Sequence, residues 1–198
     1  MDLRELGERE VISRIHKAIG RTHDLGGGED DCAAIDMGEG TLLLASTDTV
    51  IEGTHMLPGA TPGMIGRFAV EIAVSDVAAM GGSPIGVLCA YAMPPETEAN
   101  WLVNVSTGME EAVSDIGTSI IGGDTKRSAE PTIAVTALGI VDEDQCMFRR
   151  GAREGDVLLL TGPVGGPAYG FNMERDPSGA LTGRALGMVY DVRARVRA

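Results

Sequence analysis

The segment TPGMIGRFAVEIAVSDVAAMGG, residues 61–82, constrains the fold more than any other stretch. Thr61 suits an N-cap, Pro62 suits the first helical position, and Gly81-Gly82 stops the run. The spacing predicts a helix with Ile72, Ala73, Val77, Ala79 and Met80 on an apolar face. IGVLCAYAM (85–93) then reads as a buried strand, broken by Pro94-Pro95. Thr97 opens a second helix to about Asp115, with Trp101, Leu102, Val105, Met109, Ala112 and Val113 on its inner side.

Around this centre, residues 3–19 carry a helical stripe of Leu3, Leu6, Val11, Ile12, Ile15 and Ile19. Residues 20–28 read as a loop, and 32–36, 41–47, 118–121, 131–141 and 156–162 as strands. Two helices over a mixed sheet of four or more strands predict an α/β, two-layer α+β sandwich with the helices on one face. A first domain is expected over 1–165. The weakly periodic text of 166–198 reads as the start of a truncated second one.

The chain's 198 residues suffice for a core, built mainly from Ala, Val, Ile, Leu and Met because aromatics are only 4%. Its net charge of −13 disfavours nucleic acid and anionic membranes as partners. Cys32, Cys89 and Cys146 are far apart without a CxxC, which fits a reducing cytoplasm rather than a disulfide framework. The longest strongly apolar stretch is too short to span a bilayer.

Several acids stand at unusual places. Asp76 lies inside the apolar face of the 61–82 helix, toward the end where the macrodipole disfavours an anion. Burying it alone costs several kcal/mol. An Arg partner (Arg67, Arg127 or Arg149), an exposed helix edge, or a cation each offers an explanation. Asp48 follows TLLLAST, Asp124 follows SIIGG, and Asp30 and Asp31 precede CAAI. Each alone suits a turn or a solvated loop. Together, at the ends of neighbouring elements, they suit one rim of a sheet. Hard oxygen ligands without a His/Cys cluster are what Mg²⁺ takes, commonly with substrate phosphates. Ser46 and Thr47 add hydroxyls beside Asp48. The glycines at 26–28 and 122–123 would let backbone N–H groups approach phosphate. His55 could reach the same rim. No Walker, dinucleotide-binding or protein-kinase signature is present.

GGGEDDCAAID, STDTVIEGTHML, AVSDVAAMGGSP, IIGGDTKR and RRGAREGDVLLLTGPVG together resemble the thiamine-monophosphate kinase family, within the aminoimidazole ribonucleotide synthetase superfamily. The resemblance runs from about Leu3 to Phe171. It implies the N-terminal domain of that fold, direct ATP-dependent phosphorylation of thiamine phosphate to thiamine diphosphate, several Mg²⁺ ions, and a homodimer whose N-terminal sheets pair face to face. It implies that Asp31, Asp48, Asp76 and Asp124 hold metal with help from Ser46 and Thr47. Gly123, Asp124 and Arg149 would contact ATP, and His55 thiamine phosphate. Glu29, Ala73 and Lys126 depart from the family's usual Gly, Asn and Thr. The family's second domain, with further acids, would lie beyond this text, so the chain is expected to be an N-terminal part. A superfamily enzyme with another small-molecule substrate and a non-catalytic dimeric scaffold are the rival expectations.

Overall fold

A glycine divides the helix expected over residues 3–19. The computed structural model describes residues 2–19, 24–26, 28–160, 164, 165 and 186. In it, α1 (Leu3–Leu6) and α2 (Glu8–Ile19) flank Gly7, whose φ of 74° suits glycine and breaks the run. The α2 stripe does not enter the core: Ile12, Ile15 and Ile19 remain exposed.

Five strands and two long helices follow: β1 (Ala33–Asp36), β2 (Thr41–Ile51), α3 (Pro62–Ala79), β3 (Ser83–Met93), α4 (Ala99–Ile116), β4 (Ile120–Arg127) and β5 (Thr132–Asp142), then a 3₁₀ turn at Glu143–Gln145. The sheet order is β1-β2-β5-β3-β4. β3 and β4 pair in parallel, which requires a crossover, and α4 supplies it. The other neighbours are antiparallel. The expected two-layer α/β sandwich with a mixed sheet is the observed one.

α3 begins as the sequence dictates. Thr61 caps it, its hydroxyl accepting from the Met64 N–H at 3.3 Å, and Pro62 opens the first turn. α4 differs: it starts at Ala99 after Glu98, whose side chain makes no cap hydrogen bond. α3 lies over β2 and β5, while α4 packs on α3 and reaches Tyr91 of β3 through Ser106 and Met109. The core interleaves Leu42, Leu44 and Val50 of β2 and Ile133, Val135 and Ala137 of β5 with Ala69, Val70, Ala73, Val74 and Val77 of α3.

Strand alternation assigns each face. Leu42, Leu44, Ser46 and Val50 turn toward the helices and are buried. The opposite face is open and partly apolar, with Ile35, Ile85, Leu88, Ile121 and Ile140 each more than a third exposed.

Three sequence expectations are corrected. β2 continues past Thr47 to Ile51 because β5 pairs with it all the way to Thr132, so Asp48 is inside the strand rather than after it. β4 runs on to Arg127 alongside β3, so Asp124 is likewise within a strand. The strand expected over 156–162 does not form at its described residues, 156–160. Among the described residues no strand edge pairs with them, and Val157, Leu158, Leu159 and Leu160 are 76–98% exposed. The second unit expected over 166–198 lies outside the described residues. The exception is Leu186, buried against Leu57, Ala60, Met64 and Phe68.

The two helices meet backbone to backbone. A Cβ on Gly66 would lie 1.9 Å from the Val105 carbonyl oxygen, and one on Gly108 would lie 2.0 Å from that of Gly63. Neither carbonyl can retreat without moving its helix. Gly66→Ala is therefore expected to destabilise the fold by about 3 kcal/mol, as overpacking of a rigid contact does. Urea denaturation measures this, and a loss below about 0.5 kcal/mol would show that the helices separate easily.

Candidate metal and phosphate site

α3 sets its last turns over the middle of β2. This brings Asp76 to Ser46, whose Oγ donates to Asp76 Oδ2 at 2.5 Å. Ser46 is buried on the helix-facing side of β2, and Asp48 is the next residue along that side. Burial pushes the Asp76 carboxyl above its ordinary range. The Ser46 hydrogen bond opposes the rise, the charges of Asp48 and Asp31 add to it, and Arg149 again opposes it. Burial also pushes Asp48 up, and His55 partly offsets this. His55 closes the turn after β2: its Nδ1 accepts the Ile51 N–H at 3.2 Å, and its own N–H donates to the Ile51 carbonyl.

Asp31 arrives from the opposite direction, on the loop before β1. Asp24 organises that loop. Its Oδ1 accepts from the Gly26 and Ala34 N–H groups at 3.0 and 2.8 Å, and its Oδ2 from Gly28 at 2.5 Å. Gly26 leaves room for Asp30, since a Cβ there would meet Asp30 Oδ2 at 2.6 Å. The 149–150 segment is clasped onto the same loop. Arg149 donates its backbone N–H to Asp30 at 2.5 Å and its guanidinium to both Asp31 oxygens. Arg150 donates to the Leu25 carbonyl at 2.9 Å and stacks over Phe148. Met80 anchors both loops to the end of α3. Its sulfur accepts the Cys32 N–H at 3.1 Å, and its carbonyl accepts the Met147 N–H at 3.1 Å. Cys32, next to Asp31, is buried, and its thiol is pushed up to about 12 by burial and by the nearby Asp76 and Asp31 charges. It is an inert packing residue.

The structure thus brings Asp31, Asp48, Asp76, Ser46, His55 and Arg149 to one region. It sets Thr47 and Asp124 on the other face. Thr47 pairs with Thr136 of β5 and its hydroxyl contacts Thr136 Oγ1 at 3.0 Å. Asp124 lies in the row Thr49–Ala134–Ala90–Asp124 across the sheet, three strands from β2. It is exposed and ion-paired to Lys126 at 3.2 Å, and that contact holds its carboxyl below its usual range. Gly123 has a packing reason to be glycine, because a Cβ would meet the Cys89 carbonyl oxygen at 1.8 Å. Glu29 is exposed, and Ala73 is fully buried in α3.

Sequence reasoning missed two acids. Asp24 was hidden in a loop, although an Asp followed by glycines is a recognisable turn-forming pattern. Glu71 is fully buried in α3. Its partner is Arg67 at 3.2 Å, which also binds Asp115 of α4 at 2.9 Å. Arg67 therefore serves Glu71 and Asp115, and it is the Arg149 charge that acts on Asp76.

Among the described residues, no three His, Cys, Asp or Glu side chains come together as a ready-made metal cage. Yet Asp76 feels the charges of both Asp48 and Asp31. The two observations agree for a hard cation that keeps waters and binds through one or two carboxylates plus phosphate, as Mg²⁺ does. The donor set is all oxygen, half-buried and mutually repelling, and a divalent cation would relieve that repulsion.

Comparisons with known proteins extend this geometry. Residues 29–141 match the family described as AIR synthase related protein, N-terminal domain. A thiamine-monophosphate kinase of Synechococcus elongatus is 35% identical over 164 residues, 82% of this chain and 49% of that protein. The thiamine-monophosphate kinase of Escherichia coli K12 is 33% identical over 168 residues, 83% of this chain and 51% of that protein. The solved structure of AaThiL complexed with AMPPCP and TMP is 28% identical, with a TM-score of 0.85 over 100% of this chain and 62% of that one. The chain spans about half the length of the curated relatives it matches.

The raised Asp76 carboxyl makes a signed expectation. A raised acid favours folding fully below its ordinary value of 3.8, and that contribution is lost as pH rises through the elevated value. Asp76→Asn removes the charge while keeping a polar partner for Ser46. At neutral pH without divalent cations it is expected to stabilise the chain by about 0.5–1 kcal/mol, allowing for solvent screening of a half-exposed group. The gain fades as pH drops below the ordinary carboxylate range. Urea denaturation at both pH values measures it, and an Asn variant less stable than the parent at neutral pH would contradict it.

Proposed function

The chain belongs to the family of AIR synthase related proteins, matched by its N-terminal domain, and from this we propose that it is the N-terminal part of an ATP-dependent thiamine-phosphate kinase. Thiamine-monophosphate kinases are its curated relatives, and one similar structure is described with AMPPCP and TMP. The observation that carries the reading is the Ser46–Asp76 bond set beside Asp48, with Asp31 and Arg149 closing from the facing loop.

In this reading Asp31, Asp48 and Asp76 hold Mg²⁺, which supplies charge neutralisation for a transferring phosphoryl group. Ser46 fixes the orientation of Asp76. Arg149, fork-paired with Asp31, carries the positive charge suited to ATP phosphates. Gly123 keeps the β4 backbone bare for nucleotide approach, and His55 faces thiamine phosphate from the end of β2. Thr47 and Asp124 act from the open face, with Asp124 serving both metal and ATP. That face, with Ile35, Ile85, Leu88, Ile121 and Ile140, suits a homodimer formed through the N-terminal sheet. Residues 1–165 form the nucleotide and dimer domain, and 166–198 begin a second domain that completes the substrate site. Three free cysteines suit a reducing cytoplasm, and among the described residues no helix is long and apolar enough to cross a membrane.

Calorimetry of ATP binding with and without Mg²⁺ tests the nucleotide site. Binding is expected only with Mg²⁺. Asp48→Asn is expected to weaken it about tenfold or more, the equivalent of about 1.4 kcal/mol lost from one charge-assisted contact. Binding that is independent of Mg²⁺, or untouched by Asp48→Asn, would remove the metal reading. Incubating the chain together with its downstream domain, ATP and thiamine phosphate is expected to yield thiamine diphosphate, and turnover of another phosphorylated molecule instead would reassign the substrate.

A further inference from the structure

The backbone N–H groups of a glycine-rich loop suit a phosphate only while no other acceptor holds them. In the loop from Asp24 to Ala34 one does. The Asp24 carboxylate takes the Gly26 N–H at 3.0 Å, the Gly28 N–H at 2.5 Å and the Ala34 N–H at 2.8 Å. We infer that Asp24 is a positioning residue. It locks this loop as a preformed carrier of Asp31, and the glycine N–H groups it holds are not the phosphate cradle that the sequence suggests.

Packing gives each of these glycines an internal reason. Gly26 is buried, and a Cβ there would meet Asp30 Oδ2 at 2.6 Å. Gly28 has a φ of 77°, and a Cβ there would meet Cε1 of His16, on α2, at 2.7 Å. One glycine admits Asp30 and the other admits the end of α2. Neither needs a bound phosphate to explain its missing side chain.

The neck of the loop is closed twice. Leu25 donates its N–H to the Ala34 carbonyl at 2.9 Å, and the Ala34 N–H returns to Asp24. β1 ends the sheet, so these two bonds also satisfy its free edge. An anion displacing Asp24 would have to undo that edge along with the loop. Hydrogen bonds to a carboxylate are among the stronger ones. The arrangement therefore favours a fixed anchor over a carboxylate that yields its place to an incoming phosphate.

A second segment docks on the locked shape. Arg150 donates to the Leu25 carbonyl at 2.9 Å, the Arg149 N–H to Asp30 at 2.5 Å, and the Arg149 guanidinium to Asp31. Asp24 belongs to none of these contacts. It acts on them through the loop, as the outer partners of a metal ligand do.

That Asp31 serves a metal rests on the kinase reading; that Asp24 places Asp31 does not. Two measurements on the whole chain keep these apart. In amide NMR, Asp24→Ala is expected to shift the Arg149 signal, because its acceptor on the loop moves away, while the Val74 and Val135 signals of the core stay in place. Loss of general stability would not select Arg149. In calorimetry the same variant is expected to bind Mg²⁺–ATP about tenfold more weakly or worse. An Arg149 signal that stays in place, core signals that move with it, or Mg²⁺–ATP binding that is unchanged or tighter would overturn the proposal. Tighter binding would mean that the carboxylate competes with phosphate for the N–H groups. If the parent chain binds no Mg²⁺–ATP, the kinase reading fails and the Arg149 signal alone decides the part played by Asp24. If Asp24→Ala does not fold, Asp24→Asn is measured in its place: it keeps an oxygen for Gly26 and Ala34 and loses only the Gly28 contact, so the same shifts are expected with a smaller loss of affinity.

Discussion

One hydrogen bond joins the two layers at the place where chemistry is concentrated. Ser46 Oγ to Asp76 Oδ2, at 2.5 Å, links the interior face of β2 to the end of α3. It holds a half-buried carboxylate where burial and two neighbouring carboxylates oppose its ionisation. A fold selected for stability alone would place an apolar residue there, as it does at Ala73 and Met80, about one turn to either side. Local instability of this kind is what sites of binding or catalysis carry, and a ligand that cancels the repulsion recovers it.

The rest of the structure supports that one contact. The glycines between α3 and α4 let the helices close, which fixes the axis of α3 and the position of its last turns. The Arg67–Glu71–Asp115 network ties the same two helices with charge. At the other end, Met80 holds the loops carrying Asp31 and Arg149, and Asp24 stiffens the first of them with three backbone hydrogen bonds. Each device sits outside the acidic group and sets the direction from which one of its members arrives.

Much of this was legible in the sequence, and the reasons are specific. The Thr61-Pro62 start of α3 is a local signal and formed as read. Asp76 stood out because a charge inside an apolar period breaks the pattern that burial imposes. The strand lengths were less legible: β2 and β4 extend because β5 and β3 offer partners across the sheet, which is a non-local fact. The same pairing decides faces, so adjacent residues in STD separate, with Ser46 and Asp48 toward the helices and Thr47 toward the open side. Glu71 was invisible because its reason for burial, Arg67 bridging to α4, depends on a helix contact no local pattern encodes. Val157 to Leu160 read as a strand from composition, but composition supplies no partner edge.

The most direct test of the central claim is the titration of Asp76 itself. Carbon-13 NMR of the carboxyl group, with and without Mg²⁺ and ATP, reads its protonation against pH. A midpoint above the ordinary carboxylate value is expected when the cation is absent, falling clearly when Mg²⁺ and ATP are added. An ordinary midpoint that Mg²⁺ and ATP leave unmoved would contradict it, because Asp76 would then be neither strained by its neighbours nor relieved by a metal.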